Sequence, residues 1–190
     1  VIAELKQGHP PLSKRGFTVF FTGLSGAGKS TLAKGLLSKL MQDGRRPVTL
    51  LDGDIVRTHL SSKLGFSKED RSINVRRIGF VASEITKNGG IAICAPIAPY
   101  ESDRNYNREM ISQYGGYIEV YVNTPLGICE DRDIKGLYSK ARKGLIKAFT
   151  GIDDPYEPPK DPEITVNASN TEPEVLVQEV ILRIKQLGYL

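Results

Sequence analysis

The chain has 190 residues, a formal net charge of +4, 39% hydrophobic and 25% charged residues. This composition is globular and excludes a disordered chain, and the length suits one ordinary domain with little room for a second. No apolar run approaches the roughly 20 residues that cross a bilayer, and Val1 to Gln7 lacks the pattern of a signal peptide, so the expectation is a soluble, cytoplasmic protein without a membrane partner.

In chain order, Phe17–Thr22 is a compact apolar run that predicts a strand. Lys29–Gln42 follows as a helix, with Leu32, Leu36, Leu37 and Leu40 on one face and Asp43-Gly44 as its stop. Val48–Leu51 is a second strand, running into Asp52-Gly53-Asp54. A long helix opens at Ser67, whose hydroxyl can cap it, and reaches Asn88 before Gly89-Gly90. Ile91–Ala95 is a third strand, broken by Pro96 and Pro99; Ser102–Gln113 is helical; Tyr117–Val122 is a fourth strand; Pro125–Asp131 starts another helix. Residues 132–147 set Arg132, Lys135, Lys140, Arg142, Lys143 and Lys147 against a single acid, Asp133. Phe149–Pro162 is a proline-rich loop and Ile164–Val166 a short fifth strand. Thr171-Glu172-Pro173-Glu174 has capping-box spacing and opens a last helix that stops at Gly188. Strands alternating with helices predict an α/β fold: a doubly wound, five-stranded parallel sheet covered by helices on both faces, with its ligand at the carboxyl ends of the strands.

Cys94 and Cys129 are too few for a disulfide framework and read as reduced, packed thiols, which makes the Asn167-Ala168-Ser169 sequon incidental. The mild positive charge favours an anionic ligand without requiring nucleic acid.

Gly23-Leu24-Ser25-Gly26-Ala27-Gly28-Lys29-Ser30 fits G-x-x-x-x-G-K-[ST] at every fixed position, between a strand and a helix, as a phosphate-binding P-loop requires. Its glycines let backbone N–H groups face inward and the helix N-terminus favours anions. Lys29 can bridge the β- and γ-phosphates of a nucleoside triphosphate, and the Ser30 hydroxyl can ligate Mg²⁺. No Asn-Lys-x-Asp follows Tyr117–Val122, and Asp133-Ile134-Lys135-Gly136 comes too late for a GTPase switch. The chain is also short for a motor or ring ATPase. What remains is a small kinase, which must align an acceptor hydroxyl with the γ-phosphate and exclude water.

On the acceptor side, Asp52 and Asp54 end the second strand, one suited to Mg²⁺ or its waters and the other to the acceptor's proton. Arg57 lies on the same helical face as Asp54, and Arg71, Asn74 and Arg77 share i, i+3 spacing, which predicts a cationic surface for a second anion; Phe66 could be core or a stacking plate. The basic segment 132–147 reads as a lid, and Phe149 just beyond it suits stacking on a base.

These residues resemble the adenylylsulfate kinase family. The resemblance rests on Gly23–Thr31, Asp-Gly-Asp-x-x-Arg at 52–57, Gly-Phe-Ser at 65–67, Asp70-Arg71 with Asn74-x-Arg76-Arg77, Pro-Tyr-x-x-Asp-Arg at 99–104, Lys-Gly-Leu-Tyr at 135–138, Phe-Thr-Gly-Ile at 149–152 and Pro-Tyr-Glu-x-Pro at 155–159. It implies a P-loop NTPase fold, and transfer of the γ-phosphate of ATP to the 3′-hydroxyl of adenosine 5′-phosphosulfate with Mg²⁺. It further implies that Gly23, Leu24, Ser25, Gly26, Ala27, Gly28, Lys29, Ser30 and Thr31 hold ATP, with Arg132 along its adenine. Asp54, Asp52 and Lys29 would be catalytic, with Ser30 and Asp52 on the metal. Arg57, Arg71 and Asn74 would bind the phosphosulfate substrate, Phe66 and Phe149 sandwich its adenine, and Lys135, Leu137 and Ile97 complete the contacts.

One position departs from the family. Many members read Phe-Ile-Ser-Pro where this chain has Pro96-Ile97-Ala98-Pro99, so a phosphoserine intermediate is not open to it and transfer is expected to be direct and in line. The resemblance also implies a homodimer and a possible fusion to ATP sulfurylase, with which the start at Val1 is compatible. Residues 1–190 are read as one kinase domain, with an N-terminal extension over 1–13 and the lid over 132–150. The rival readings are a P-loop kinase of another small acceptor, such as a nucleoside monophosphate or a sugar acid, and a non-catalytic nucleotide-binding regulatory domain of a fused sulfurylase.

Overall fold

A computed structural model describes residues 11–190, so the expected extension over 1–13 falls mostly outside the described residues. After a 3₁₀ turn at Leu12–Lys14, the chain forms β1 (Phe17–Thr22), α1 (Lys29–Asp43), β2 (Val48–Asp52), α2 (Gly53–His59), α3 (Lys68–Lys87), β3 (Ile91–Ala95), α4 (Glu101–Ser112), β4 (Gly116–Val122), α5 (Leu126–Arg132), α6 (Leu137–Arg142), β5 (Ile164–Val166) and α7 (Pro173–Gln186). The five strands make one parallel sheet in the order β2-β3-β1-β4-β5.

The apolar runs of β1 and β3 are continuous rather than alternating because both faces of a parallel sheet are covered, and every residue of both strands is buried. Phe17, Val19 and Phe21 turn to the face packed by Leu32 and Leu36 of α1 and Val180 and Ile184 of α7. Phe20 turns to the other face, where Ile78 and Ala82 of α3 and Ile111 of α4 meet Cys94 and Tyr117. Burying each such aliphatic or aromatic side chain is worth about 1.5–3 kcal/mol. The two thiols are indeed free and buried.

The helix ends follow local chemistry. Ser67 caps α3, its hydroxyl accepting from the Asp70 N–H at 3.1 Å and donating to the Asp70 carboxylate at 2.9 Å. Gly44 closes α1 with a positive φ of 66°. One expectation needs correction. The last helix does not use Thr171 as its cap: Glu172 is the capping residue, without a side-chain bond. Pro173 sets the first helical φ and lacks an N–H, which leaves Thr171 outside. The chain after β2 is a separate seven-residue helix, α2, started by Asp52, whose carboxylate accepts from the Asp54 N–H at 3.0 Å.

β1 and β3 are adjacent, but their chains leave in opposite directions, β1 through α1 toward β2 and β3 through α4 toward β4. A crevice therefore opens at their carboxyl ends. It lies between the loop after β1 and the 96–100 turn after β3.

Candidate active site

The loop after β1 is held by its neighbours. The carbonyls of Ser25, Gly26 and Ala27 each accept from outside the loop: from Tyr138 Oη at 2.9 Å, Arg132 Nη1 at 3.3 Å and Thr124 Oγ1 at 2.9 Å. Two of its glycines are required by geometry. Gly23 has φ 147° and a Cβ there would lie 2.7 Å from the Val122 carbonyl oxygen; Gly26 has φ 73° and a Cβ would meet the Cys129 carbonyl oxygen at 3.0 Å. Lys29 is 7% exposed and donates to the Leu24 carbonyl at 2.6 Å. Burial lowers its pKa to about 8, against the favourable fields of Cys129, Asp52 and Asp54, with Lys135 adding to the depression. Ser30 and Thr31 are exposed in the first turn of α1. A glycine-rich loop at a helix N-terminus, with a buried lysine bent over it, has the chemistry to bind an anion.

Facing the loop, Asp52 is buried at the end of β2 and Asp54 begins α2 with its side chain 74% exposed. Lys135, from the segment between α5 and α6, forms an ion pair with Asp54. The basic segment thus reaches over the crevice to the Asp52–Asp54 turn. Asp133 caps α6, accepting from Tyr138 N at 3.0 Å and Ser139 N at 2.9 Å, and the first of these bonds precedes the Tyr138 side chain that braces Ser25. Leu137 starts α6 and is half-buried.

Arg132 does not lie open along a surface. Its guanidinium bridges the carbonyls of Gly26, Ala168 and Ser169, joining the phosphate loop to the loop after β5. The expected cationic surface on α3 also needs correction. Arg71 and Asn74 are 8% and 6% exposed, because with Val75, Ile78 and Ala82 they fall on the buried stripe of the helix. Arg71 Nη1 donates to Thr150 Oγ1 at 2.7 Å, and Nη2 lies 2.9 Å from the Asp154 carboxylate. Arg71 Nε and Asn74 Oδ1 are buried with no hydrogen-bond partner, a costly state that marks a place where a polar ligand can bind. Arg77 remains outside and holds the Leu60 carbonyl at 2.7 Å.

The two phenylalanines stand in different settings. Phe66 is 65% exposed, with the Arg57 guanidinium 4.3 Å from its ring centroid; Arg57 also donates to the carbonyls of Leu64 and Gly65. Phe149 is half-buried and meets the Tyr138 ring edge-on at 5.0 Å, so it is not a loose loop aromatic. The Ile97 carbonyl is taken by Gly23 N–H at 3.3 Å and Thr22 Oγ1 at 2.7 Å, which leaves its other groups for any ligand contact. A groove of about 620 Å³ lies beside the 151–158 loop, and of the expected site residues only Leu24 lines it.

Sequence reasoning missed the supports. Tyr138 on Ser25, Thr124 on Ala27, and Thr150 with Asp154 on Arg71 hold the residues it named. The burial of Arg71 had a visible signal, since 71, 74, 75, 78 and 82 follow helical spacing; Thr150 and Asp154, in an irregular loop, had none.

Among the described residues no group of three or more His, Cys, Asp or Glu could cage a metal ion. One hydroxyl (Ser30) and one carboxylate (Asp52) do suit Mg²⁺, which binds one or two protein oxygens beside substrate phosphates and keeps several waters. No helix of the described residues is long and apolar enough to cross a membrane.

The chain is similar to known proteins over most of its length. The family described as adenylylsulphate kinase matches residues 15–167. An adenylyl-sulfate kinase of Microcystis aeruginosa is 50% identical over 179 residues, covering 94% of this chain and 97% of its own. The chain spans about a third of the length of the sulfate adenylyltransferases it matches, such as that of Aspergillus oryzae, 50% identical over 189 residues and covering 100% of this chain and 33% of the relative. Among solved structures, the Mycobacterium tuberculosis APS kinase CysC in complex with AMPPNP and APS superimposes with a TM-score of 0.86 at 41% identity, covering 93% of this chain and 99% of that one. A hexameric APS kinase from Thiobacillus denitrificans superimposes with a TM-score of 0.78 at 50% identity, covering 99% of this chain and 32% of that one. With a P-loop kinase fold and a family match across more than half its length, the chain belongs to the adenylylsulphate kinase family.

Proposed function

We propose that this chain transfers the γ-phosphate of ATP to the 3′-hydroxyl of adenosine 5′-phosphosulfate, giving 3′-phosphoadenylylsulfate and ADP, as a step of sulfate activation. The observation that carries the reading is the convergence of a braced phosphate loop, the Asp52–Asp54 turn and Lys135 on one crevice. In this reading Gly23–Thr31 hold the triphosphate and Lys29 leaves the Leu24 carbonyl for the β- and γ-oxygens. Arg132 fixes the loops on which the ATP base rests. Ser30 and Asp52 would hold Mg²⁺, which when bound neutralises charge on the phosphate oxygens. Arg57, Arg71 and Asn74 take the phosphosulfate, and Phe66 and Phe149 contact its adenine. Ile97, Leu137 and Lys135 line the closed site, with 132–150 as a lid that excludes water.

The acceptor oxygen attacks the γ-phosphorus as the bond to the β,γ-bridging oxygen breaks, and the hydroxyl proton passes to the Asp54 carboxylate. Lys135 now occupies that carboxylate and must be drawn away by the incoming phosphates. Transfer is direct. Ala98 is 1% exposed and packed with Phe20, Val75 and Ile111, so even a hydroxyl at this position would face the core.

A coupled assay with ATP, Mg²⁺ and a panel of acceptors tests the reading. Turnover is expected with adenosine 5′-phosphosulfate. Turnover with gluconate or AMP instead would overturn the substrate, and ATP binding without any transfer would favour a regulatory nucleotide domain. The chain's span of a third of the Aspergillus oryzae protein supports a further proposal, that such a module also works beside an ATP sulfurylase. Two copies are proposed to associate. Light scattering that gives six, the state named for the Thiobacillus denitrificans structure, would replace the dimer.

A further inference from the structure

Arg104 is buried in a way its motif does not explain. It is 2% exposed, and all three guanidinium nitrogens are engaged. Nε faces Glu119 at 3.1 Å, Nη1 donates to the Ala98 carbonyl at 2.8 Å, and Nη2 donates to the Glu157 carbonyl at 2.6 Å. The Ala98 carbonyl is also reached by Thr22 Oγ1 at 3.2 Å, and Ala98 has φ 47°. A left-handed alanine is uncommon and persists when its surroundings over-determine it. Arg104 therefore clamps a strained turn from one side while Thr22, the last residue before the phosphate loop, holds it from the other.

The same guanidinium holds the segment beyond the lid. Glu157 N–H donates to the Pro99 carbonyl at 2.9 Å, the Glu157 carboxylate accepts from Glu101 N–H at 2.7 Å, and Tyr156 Oη lies 2.9 Å from Thr22 Oγ1. Three residues back, Asp154 accepts from Tyr100 Oη at 2.8 Å and pairs with Arg71. Three pieces of chain thus meet at Arg104: the start of the phosphate loop, the 97–100 turn, and the 154–157 strap that fixes Arg71. Glu119, 6% exposed on β4, faces the guanidinium as a buried counter-charge, and Arg108 adds a second cation at 3.3 Å.

We propose that Arg104, paired in charge with Glu119, is a positioning residue that sets the acceptor-binding groups against the phosphate loop. The inference rests on the reading of Arg71 as an acceptor contact. A guanidinium suits this work because its planar fork reaches two carbonyls and a carboxylate at once, which the single ammonium of lysine cannot do.

Two variants test it: Arg104→Lys, and the apolar pair Arg104→Met/Glu119→Leu. Replacing a buried ion pair by apolar groups is often neutral for stability, so the second variant separates filling space from holding carbonyls. Both are expected to raise the KM of the acceptor about tenfold, with the KM of ATP within about twofold of the parent. An acceptor KM restored in the apolar pair would reduce Arg104 to packing and overturn the proposal, and so would an equal rise in both constants. If the parent phosphorylates an acceptor other than adenosine 5′-phosphosulfate, the proposed substrate fails and the same split is read on that acceptor. If the parent phosphorylates none, hydrogen exchange decides. The amides of Gly23, Glu101 and Glu157 should exchange faster together in either variant that folds, with α1 unchanged; independent responses would overturn the hub.

Discussion

At the phosphate loop, three successive carbonyls are tied to the body by Tyr138, Arg132 and Thr124. Across the crevice, Asp54 is held by Lys135, and Arg57 by Phe66 and the carbonyls of a surface loop. One side is preorganised for an anion before any ligand arrives. The other is kept satisfied by provisional contacts that a ligand has to displace. Preorganised dipoles cost nothing to align at the moment of reaction, whereas displaced contacts are repaid from binding energy. An exposed ion pair is worth only about 0–1 kcal/mol, so the Lys135–Asp54 contact is cheap to break. Arg71 and Asn74 are the exception on this side, since they are themselves buried.

The contrast can be broken most severely at Asp54. Asp54→Ala should lower kcat about 10²–10⁴-fold, the range for losing a general base, while ATP-analogue affinity measured by calorimetry stays within about threefold. Unchanged turnover would remove Asp54 from the proton transfer. Lys29→Ala should lower kcat about 10²–10³-fold at saturating ATP, the range for one preorganised donor; a defect that saturating ATP abolishes would show that Lys29 only binds.

The phenylalanines sharpen the comparison further. Base stacking is worth about 1–3 kcal/mol, so Phe66→Ala and Phe149→Ala should each raise the acceptor KM by about fivefold or more. Only Phe149→Ala should lower the melting temperature, because Phe149 packs on Tyr138 while Phe66 is exposed. Equal melting temperatures would erase the structural distinction between them. The smallest effect is expected from Ala98→Ser. It should leave kcat within about twofold and destabilise by about 1–3 kcal/mol, the cost of burying an unpaired hydroxyl. Mass spectrometry that finds phosphate on that serine during turnover would show that this position faces the transferred phosphate and not the core.

Much of this was legible in the sequence for physical reasons. Continuous apolar runs marked β1 and β3 because a parallel sheet hides both faces, and Ser67 and Gly44 marked helix ends by satisfying orphan backbone groups. The phosphate loop was legible because its backbone path needs glycine at fixed places. Thr171 misled because capping spacing says nothing about where proline has already fixed the first turn. Arg71 and Arg104 were harder. A buried arginine is recognisable only through its partners, and Asp154, Thr150, Glu119 and the Ala98 carbonyl come from distant parts of the chain.

Lys29 carries one more consequence. Burial brings its pKa to about 8, so near pH 8 about half the molecules hold it neutral. A triphosphate restores the charged form, and the nucleotide then arrives with a proton as its co-ligand. Calorimetric titrations at pH 8 in buffers of different ionisation heat should show uptake of about half a proton, with affinity weakening as pH rises through 8. An unfolded lysine titrates near 10.5 and the folded one near 8, so the unfolded chain binds more protons between them and this group's effect on folding stability grows with pH over that window. The rise in pH that relieves the burial cost of this lysine is the same one that loosens its hold on nucleotide.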